Sequence, residues 1–78
     1  MSLRVLVYTR GGCHLCDVAE ADVARICTDL GLGFASVDVD TDPELRAEYG
    51  DRVPVIMVDG REHGYFRVEE ERLRAALR

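Results

Sequence analysis

Cys13-His14-Leu15-Cys16 is the stretch on which the chain turns, because two cysteines three positions apart at the mouth of a helix face one another across a single turn. An apolar run, Leu3-Arg4-Val5-Leu6-Val7-Tyr8, precedes it, and Thr9-Arg10-Gly11-Gly12 breaks that run just before Cys13. The run has the composition of an inner strand whose first turn is wet. The paired glycines remove side chains beside Cys13, so that another sulfur can approach closely. The dithiol is thereby set beyond the carboxyl end of a strand, the ligand-facing edge of an open α/β sheet.

From Leu15 to Leu30 the apolar residues Leu15, Ala19, Val23, Ile26 and Leu30 recur at three- and four-residue intervals, while Asp17, Glu20, Asp22, Arg25 and Asp29 supply the polar surface. This predicts a helix ending at Gly31 and Gly33, with Leu15 anchoring its first turn. First-turn amides and the positive helix end stabilise a Cys13 thiolate and lower its pKa, leaving Cys16 as the resolving thiol. His14 either assists the thiolate or is an exposed loop histidine. Cys27, beside the apolar stripe, reads as a buried structural thiol.

Phe34-Ala35-Ser36-Val37-Asp38-Val39-Asp40 alternates as a second strand, so Leu3 to Val39 is expected to form a right-handed βαβ unit. Asp38 and Asp40 read as a solvated strand end rather than as a buried proton acceptor for the resolving thiol. Thr41 or Asp42 caps a short helix over Pro43–Tyr49 that ends at Gly50, with Leu45 and Tyr49 toward the sheet. Val53-Pro54-Val55-Ile56-Met57-Val58 and Arg61-Glu62-His63-Gly64-Tyr65-Phe66 flank Asp59-Gly60, a strong signal for a tight hairpin turn. Proline suits the start of such a strand because it has no ladder donor. Glu69-Glu70-Glu71 then opens a terminal amphipathic helix with Leu73 and Leu77 inward and Arg72, Arg74 and Arg78 wet, its acidic start and basic end matching the helix dipole.

Tyr8-Thr9-Arg10-Gly11-Gly12-Cys13-His14-Leu15-Cys16, Arg52-Val53-Pro54-Val55 and the Gly60/Gly64 segment together resemble the glutaredoxin-like branch of the thioredoxin superfamily. The likeness in element order spans nearly the whole chain. It implies a three-layer α/β/α sandwich with a four-stranded mixed sheet in β-α-β-α-β-β-α order, forming a single domain over residues 1–78. It also implies a cis Val53-Pro54 peptide beside Cys13, whose neighbouring backbone pairs with an extended disulfide substrate.

Arg10 stands where such proteins carry a cation before the dithiol, and Gly64 keeps one glycine of their glutathione-binding pair. Tyr65 follows it, however, and Arg67 replaces an acidic contact, so that Tyr65 obstructs the peptide groove and the contact to the amino end of glutathione is lost. Gly64-Tyr65-Phe66-Arg67 partly resembles redoxins that take electrons from thioredoxin reductase and donate them to ribonucleotide reductase. The substrate-contacting set is thus Arg10, His14, Val53, Pro54, Gly64 and Tyr65 around catalytic Cys13 and Cys16. No bound cofactor is expected. A disulfide-bearing protein or small thiol is the substrate, and glutathione or thioredoxin reductase is the external electron source.

A net charge of -5 and a pI near 4.8 argue against a nucleic-acid-binding face, the arginines being spread along the chain. Three cysteines are too few and too odd for a secreted disulfide framework. The first residues lack the pattern of a signal peptide, and no apolar stretch reaches the roughly 20 residues of a membrane span. A cytoplasmic monomer is expected, in which the pair cycles or binds metal rather than acting as a permanent crosslink. Metal or iron–sulfur binding by Cys13, Cys16 and His14, with Cys27 or His63 added, is the competing chemistry. A third reading is a redox-inactive recognition domain using Tyr65 and Phe66, although an aromatic pair at a strand end more often packs partly into the core.

Overall fold

The structure is a computed structural model, described for residues 3–78. Its elements run β1 (Val5–Thr9), α1 (His14–Leu30), β2 (Phe34–Asp38), a 3-10 turn (Val39–Thr41), α2 (Pro43–Tyr49), β3 (Val55–Val58), β4 (Arg61–Tyr65) and α3 (Glu70–Ala76). The sheet order is β2-β1-β3-β4, with β1 parallel to β2 and antiparallel to β3. This is the expected four-stranded mixed sheet and element order. Parallel pairing of β1 and β2 follows from the long crossover through α1.

Alternation along β1 decides what each face of the sheet does. Val5 and Val7 pair with Val58 and Ile56 and are buried with Val23, Ile26 and Cys27 of α1 and Leu73 and Leu77 near α3. The intervening Leu6 and Tyr8 point to the other face and are only half-buried. That face receives α2 alone, a helix with no fully buried residue, whose Tyr49 stacks on Tyr8 at 4.5 Å between ring centroids. An inner strand therefore alternates in burial because seven residues of helix do not cover what α1 and α3 cover opposite.

Several details depart from the sequence expectation. Strand β2 stops at Asp38, because Asp38 accepts a hydrogen bond from the Asp40 amide (2.8 Å) and turns the chain into the 3-10 segment. Leu15 does not anchor α1. It is 51% exposed, and Leu30 at the other end is 40% exposed; the buried stripe is Cys16, Ala19, Val23, Ile26 and Cys27. Leu15 sits at the margin of this stripe. Arg74 is also less free than expected, bonding Glu70 at 2.9 Å and Asp29 at 2.8 Å.

Strand β1 begins at Val5, two residues after the apolar run does, and β4 ends at Tyr65 rather than Phe66. Other local readings hold. Asp42 caps α2 through the amides of Glu44 and Leu45. Asp59 and Gly60 both have positive φ, 52° and 82°, as a two-residue hairpin turn of the primed kind requires. His63 is the extra residue of a bulge in β4, since Ile56 pairs with Gly64 and Met57 with Glu62. Gly50 is required by space: a Cβ there would lie 2.5 Å from the Arg46 carbonyl oxygen. Gly50→Ala is expected to cost about 1–3 kcal/mol, read as a lowered thermal midpoint.

Arg25 and then Arg74 hold the Glu70 carboxyl down at about 2 by hydrogen bonding, which ties the start of α3 to the middle of α1. A carboxyl depressed in the folded state stabilises it above the unfolded value and loses that contribution as pH falls. The midpoint of thermal unfolding should therefore drop between about pH 4.5 and 2, and Glu70→Gln should remove part of that drop. Salt should weaken the effect, because the groups are exposed. None of the described helices is long and apolar enough to cross a membrane.

Candidate active site

Because β1 and β3 are antiparallel, the carboxyl end of β1, the start of β3 and the end of β4 share one edge of the sheet. Cys13, Val53-Pro54 and Tyr65-Phe66 follow or precede those three ends. Topology alone thus gathers segments that lie some forty and fifty residues apart in the chain.

Cys13 is the N-cap of α1, and its sulfur accepts a hydrogen bond from the Cys16 amide at 3.1 Å. That amide is one of the donors a helix start leaves unpaired, so the sulfur has taken the place of a capping oxygen. The same interaction favours a thiolate once the pair is reduced. Gly12 (φ 74°) turns the chain into this position. Cys13 and Cys16 are joined as a disulfide, with Cα atoms 5.2 Å apart. Their burial is unequal: Cys16 is 1% exposed and Cys13 only half-buried. An incoming sulfur reaches Cys13 first.

The Val53-Pro54 peptide is cis, as the resemblance implied. Pro54 is buried, and its carbonyl accepts the Phe66 amide at 2.8 Å, which fastens the β4–α3 loop beside it. Arg10 is on the same edge but already engaged, bonding Asp40 at 3.0 Å and the Gly50 carbonyl at 3.4 Å. His14 is exposed at the first position of α1. Gly64 is half-buried in β4, and Tyr65 is 50% exposed. Asp38 and Asp40 are exposed, the first capping the 3-10 turn and the second holding Arg10, so neither is a buried proton acceptor.

Cys27 lies in the core with its thiol pushed up by desolvation, as a structural cysteine does. Burial, then Arg72, push the His63 imidazole down and favour its neutral form. Among the described residues no three His, Cys, Asp or Glu side chains converge to hold one metal ion.

Sequence reasoning missed two features here. Tyr65 and Phe66 do not pack into the core: they are 50% and 46% exposed and stack edge-to-face at 4.9 Å. Phe66 moreover has φ 70°, a left-handed conformation that costs an aromatic residue on the order of 1 kcal/mol and accumulates at functional loops. The second feature is the apolar exposure of Leu15 and Val18 next to the dithiol. Val18 lies off the buried stripe in phase, and that was the available signal.

The mixed sheet with its three helices, carrying a cysteine pair at the mouth of α1, defines a thioredoxin-fold protein with a redox type of site. The chain belongs to the glutaredoxin-like domain family (DUF836), whose profile matches residues 4–78. The Mycobacterium tuberculosis protein Rv0508 is 44% identical over 79 residues, covering 95% of this chain and 81% of its own. Among solved structures, protein XcR50 of X. campestris superposes with a TM-score of 0.75 at 39% identity, over 94% of this chain and 93% of its own. A glutaredoxin from Brucella melitensis superposes at 0.58 with 32% identity, over 82% and 71%.

Proposed function

We propose that this protein is a thiol–disulfide oxidoreductase that reduces protein or low-molecular-weight disulfides with the Cys13/Cys16 dithiol. The supporting observation is the sulfur of a half-exposed Cys13 at the N-cap of α1, on the Cys16 amide, with Cys16 buried behind it. Cys13 thiolate attacks one sulfur of the substrate disulfide, forming a Cys13–substrate bond. The departing substrate sulfur leaves as a thiolate and takes up a proton. Cys16, once deprotonated, attacks the Cys13 sulfur and expels the second substrate thiolate. Two electrons pass to substrate, and the Cys13–Cys16 disulfide remains for an external thiol to reduce.

A dedicated protein reductant of the thioredoxin-reductase kind is favoured over glutathione by a specific observation. Arg10, the cation available to a glutathione carboxylate, is held by Asp40 and Gly50. Tyr65 stands exposed after Gly64, and Arg67 is exposed where an acidic contact would meet the glutathione amino group.

The test equilibrates the protein over defined glutathione redox ratios, quenches by alkylation and reads the states by mass. A reversible Cys13–Cys16 pair with little glutathione adduct supports a dedicated redoxin. A reversible pair with an abundant adduct supports glutathione as the electron source. If the pair forms no disulfide at any ratio, the oxidoreductase reading fails.

A further inference from the structure

The start of β3 and the end of β4 lie at the dithiol edge of the sheet, so the Asp59-Gly60 turn that joins these strands lies at the opposite edge. Between that turn and α3 is a hollow of about 460 Å³, whose lining includes Asp59, Arg61, Glu62, His63, Arg72 and Ala76. Such a volume falls in the range of small-molecule sites, roughly 300–1,000 Å³. The bulge in β4 is what turns His63 toward it. Gly64 already faces α3, where a Cβ on it would lie 3.7 Å from Arg72 Nη1, and the extra residue lets His63 face α3 as well. The same contact lays the Arg72 guanidinium along β4.

The charges around this hollow do not cancel. Both carboxylate oxygens of Asp59 accept hydrogen bonds from Arg4, at 2.9 Å each, and Glu62 is held by Arg52 at 3.0 Å. Among the described residues Arg61 and Arg72 make no ion pair. The chain has 15 acidic residues against 10 basic ones, yet the uncommitted charges lining the hollow are both positive. Glu69, whose carboxylate makes no ion pair, lines the adjoining hollow toward Tyr65 rather than this one. His63 adds a donor with nothing to bond. Among the described residues its Nε2 is buried without a partner, close to a void of about 10 Å³ that has room for one water at most. Rotation about χ2 of an imidazole is soft, so a turn of the ring carries that N–H toward the hollow.

We propose that this hollow binds a small dianion of the phosphate type, with Arg61 and Arg72 on its oxygens and His63 donating a further hydrogen bond. Two free guanidiniums call for two negative charges, and a phosphate group carries close to that number near pH 7. The planar fork of each guanidinium matches phosphate oxygens in pairs, and an oxygen of the same group is the acceptor that His63 lacks. A carboxylate neutralises only one of the two cations. Neither Cys13 nor Cys16 takes part, so this site stands or falls separately from the oxidoreductase reading.

The test follows the imidazole resonances of isotope-labelled full-length protein by NMR as inorganic phosphate is added at constant pH, with sodium chloride keeping the ionic strength fixed. The chain has two histidines, so His14 at the mouth of α1 serves as the internal reference. His63 is expected to shift along a saturating curve while His14 stays still. Arg72→Gln should weaken binding by about tenfold or more. Arg72 is exposed and makes no ion pair, so the fold tolerates the change. Arg61→Gln, in the hairpin, is the second variant and should weaken binding likewise. Acetate should bind about tenfold more weakly than phosphate. Glycerol phosphate separates the two sources of the dianion: tighter binding than inorganic phosphate makes a phosphate monoester the ligand, weaker binding makes it free phosphate, and either supports the site. The proposal is overturned if His63 responds no more to phosphate than to chloride, or if only His14 moves. It is equally overturned if acetate binds as tightly as phosphate, or if both variants keep the affinity of the unaltered protein within about twofold.

Discussion

Cys13→Ser is expected to lower the rate of disulfide reduction by about three orders of magnitude or more, whereas Cys16→Ser should leave the first attack intact. A hydroxyl is not appreciably ionised at neutral pH, so a serine at the N-cap accepts the Cys16 amide as well as sulfur does but supplies no nucleophile. Stability should therefore change little while turnover is lost. In Cys16→Ser the intermediate has no internal resolving thiol. It should accumulate as protein plus substrate half, seen by mass, and turn over only with added thiol. Equal loss in both variants without any trapped species would mean that the two sulfurs do not have the unequal roles their burial implies. The measurement is a single-turnover mass assay with and without external thiol.

The largest expected effect on stability comes from Leu73→Ala. Leu73 is fully buried on α3 against a cluster that includes Val5, Val7, Ile26 and Ile56, so truncation removes transfer energy and leaves a cavity. The expected cost is about 3 kcal/mol, within the range for such deletions. A domain of this size holds in total only about 4–12 kcal/mol. The thermal midpoint should fall by on the order of 10–20 °C, and the urea midpoint should shift with the slope unchanged. Leu30→Ala is the comparison, because Leu30 is 40% exposed in the last turn of α1. It should cost under about 1 kcal/mol. If Leu73→Ala were as mild, α3 would not belong to the cooperative core, and its ties to Arg25 and Asp29 would be surface contacts only.

Much of this molecule is local, and what is local was legible. Cys13 as cap and Cys16 one turn on follow from spacing, because a helix brings those positions together whatever lies elsewhere. Asp42 before Pro43, and Asp59-Gly60 between two strand-like runs, carry their own turn chemistry and appeared where expected. The apolar period of α1 was also right in phase, and it placed Ala19, Val23 and Ile26 in the core.

What failed was set by neighbours distant in sequence. Periodicity says which way Leu15 points but not whether anything stands opposite, and α3 meets α1 only from the level of Arg25 onward. The engagement of Arg10 by Asp40 and Gly50 depends on how the 3-10 turn and the end of α2 meet the loop after β1. The bulge at His63 and the outward Phe66 depend on the pairing of β4 with β3. From the sequence alone came the dithiol, its helix and the order of the elements, since those rest on interactions within a few residues. Only the tertiary structure decided which apolar side chains remain bare around Cys13, because exposure is a property of what packs against a residue and not of the residue itself.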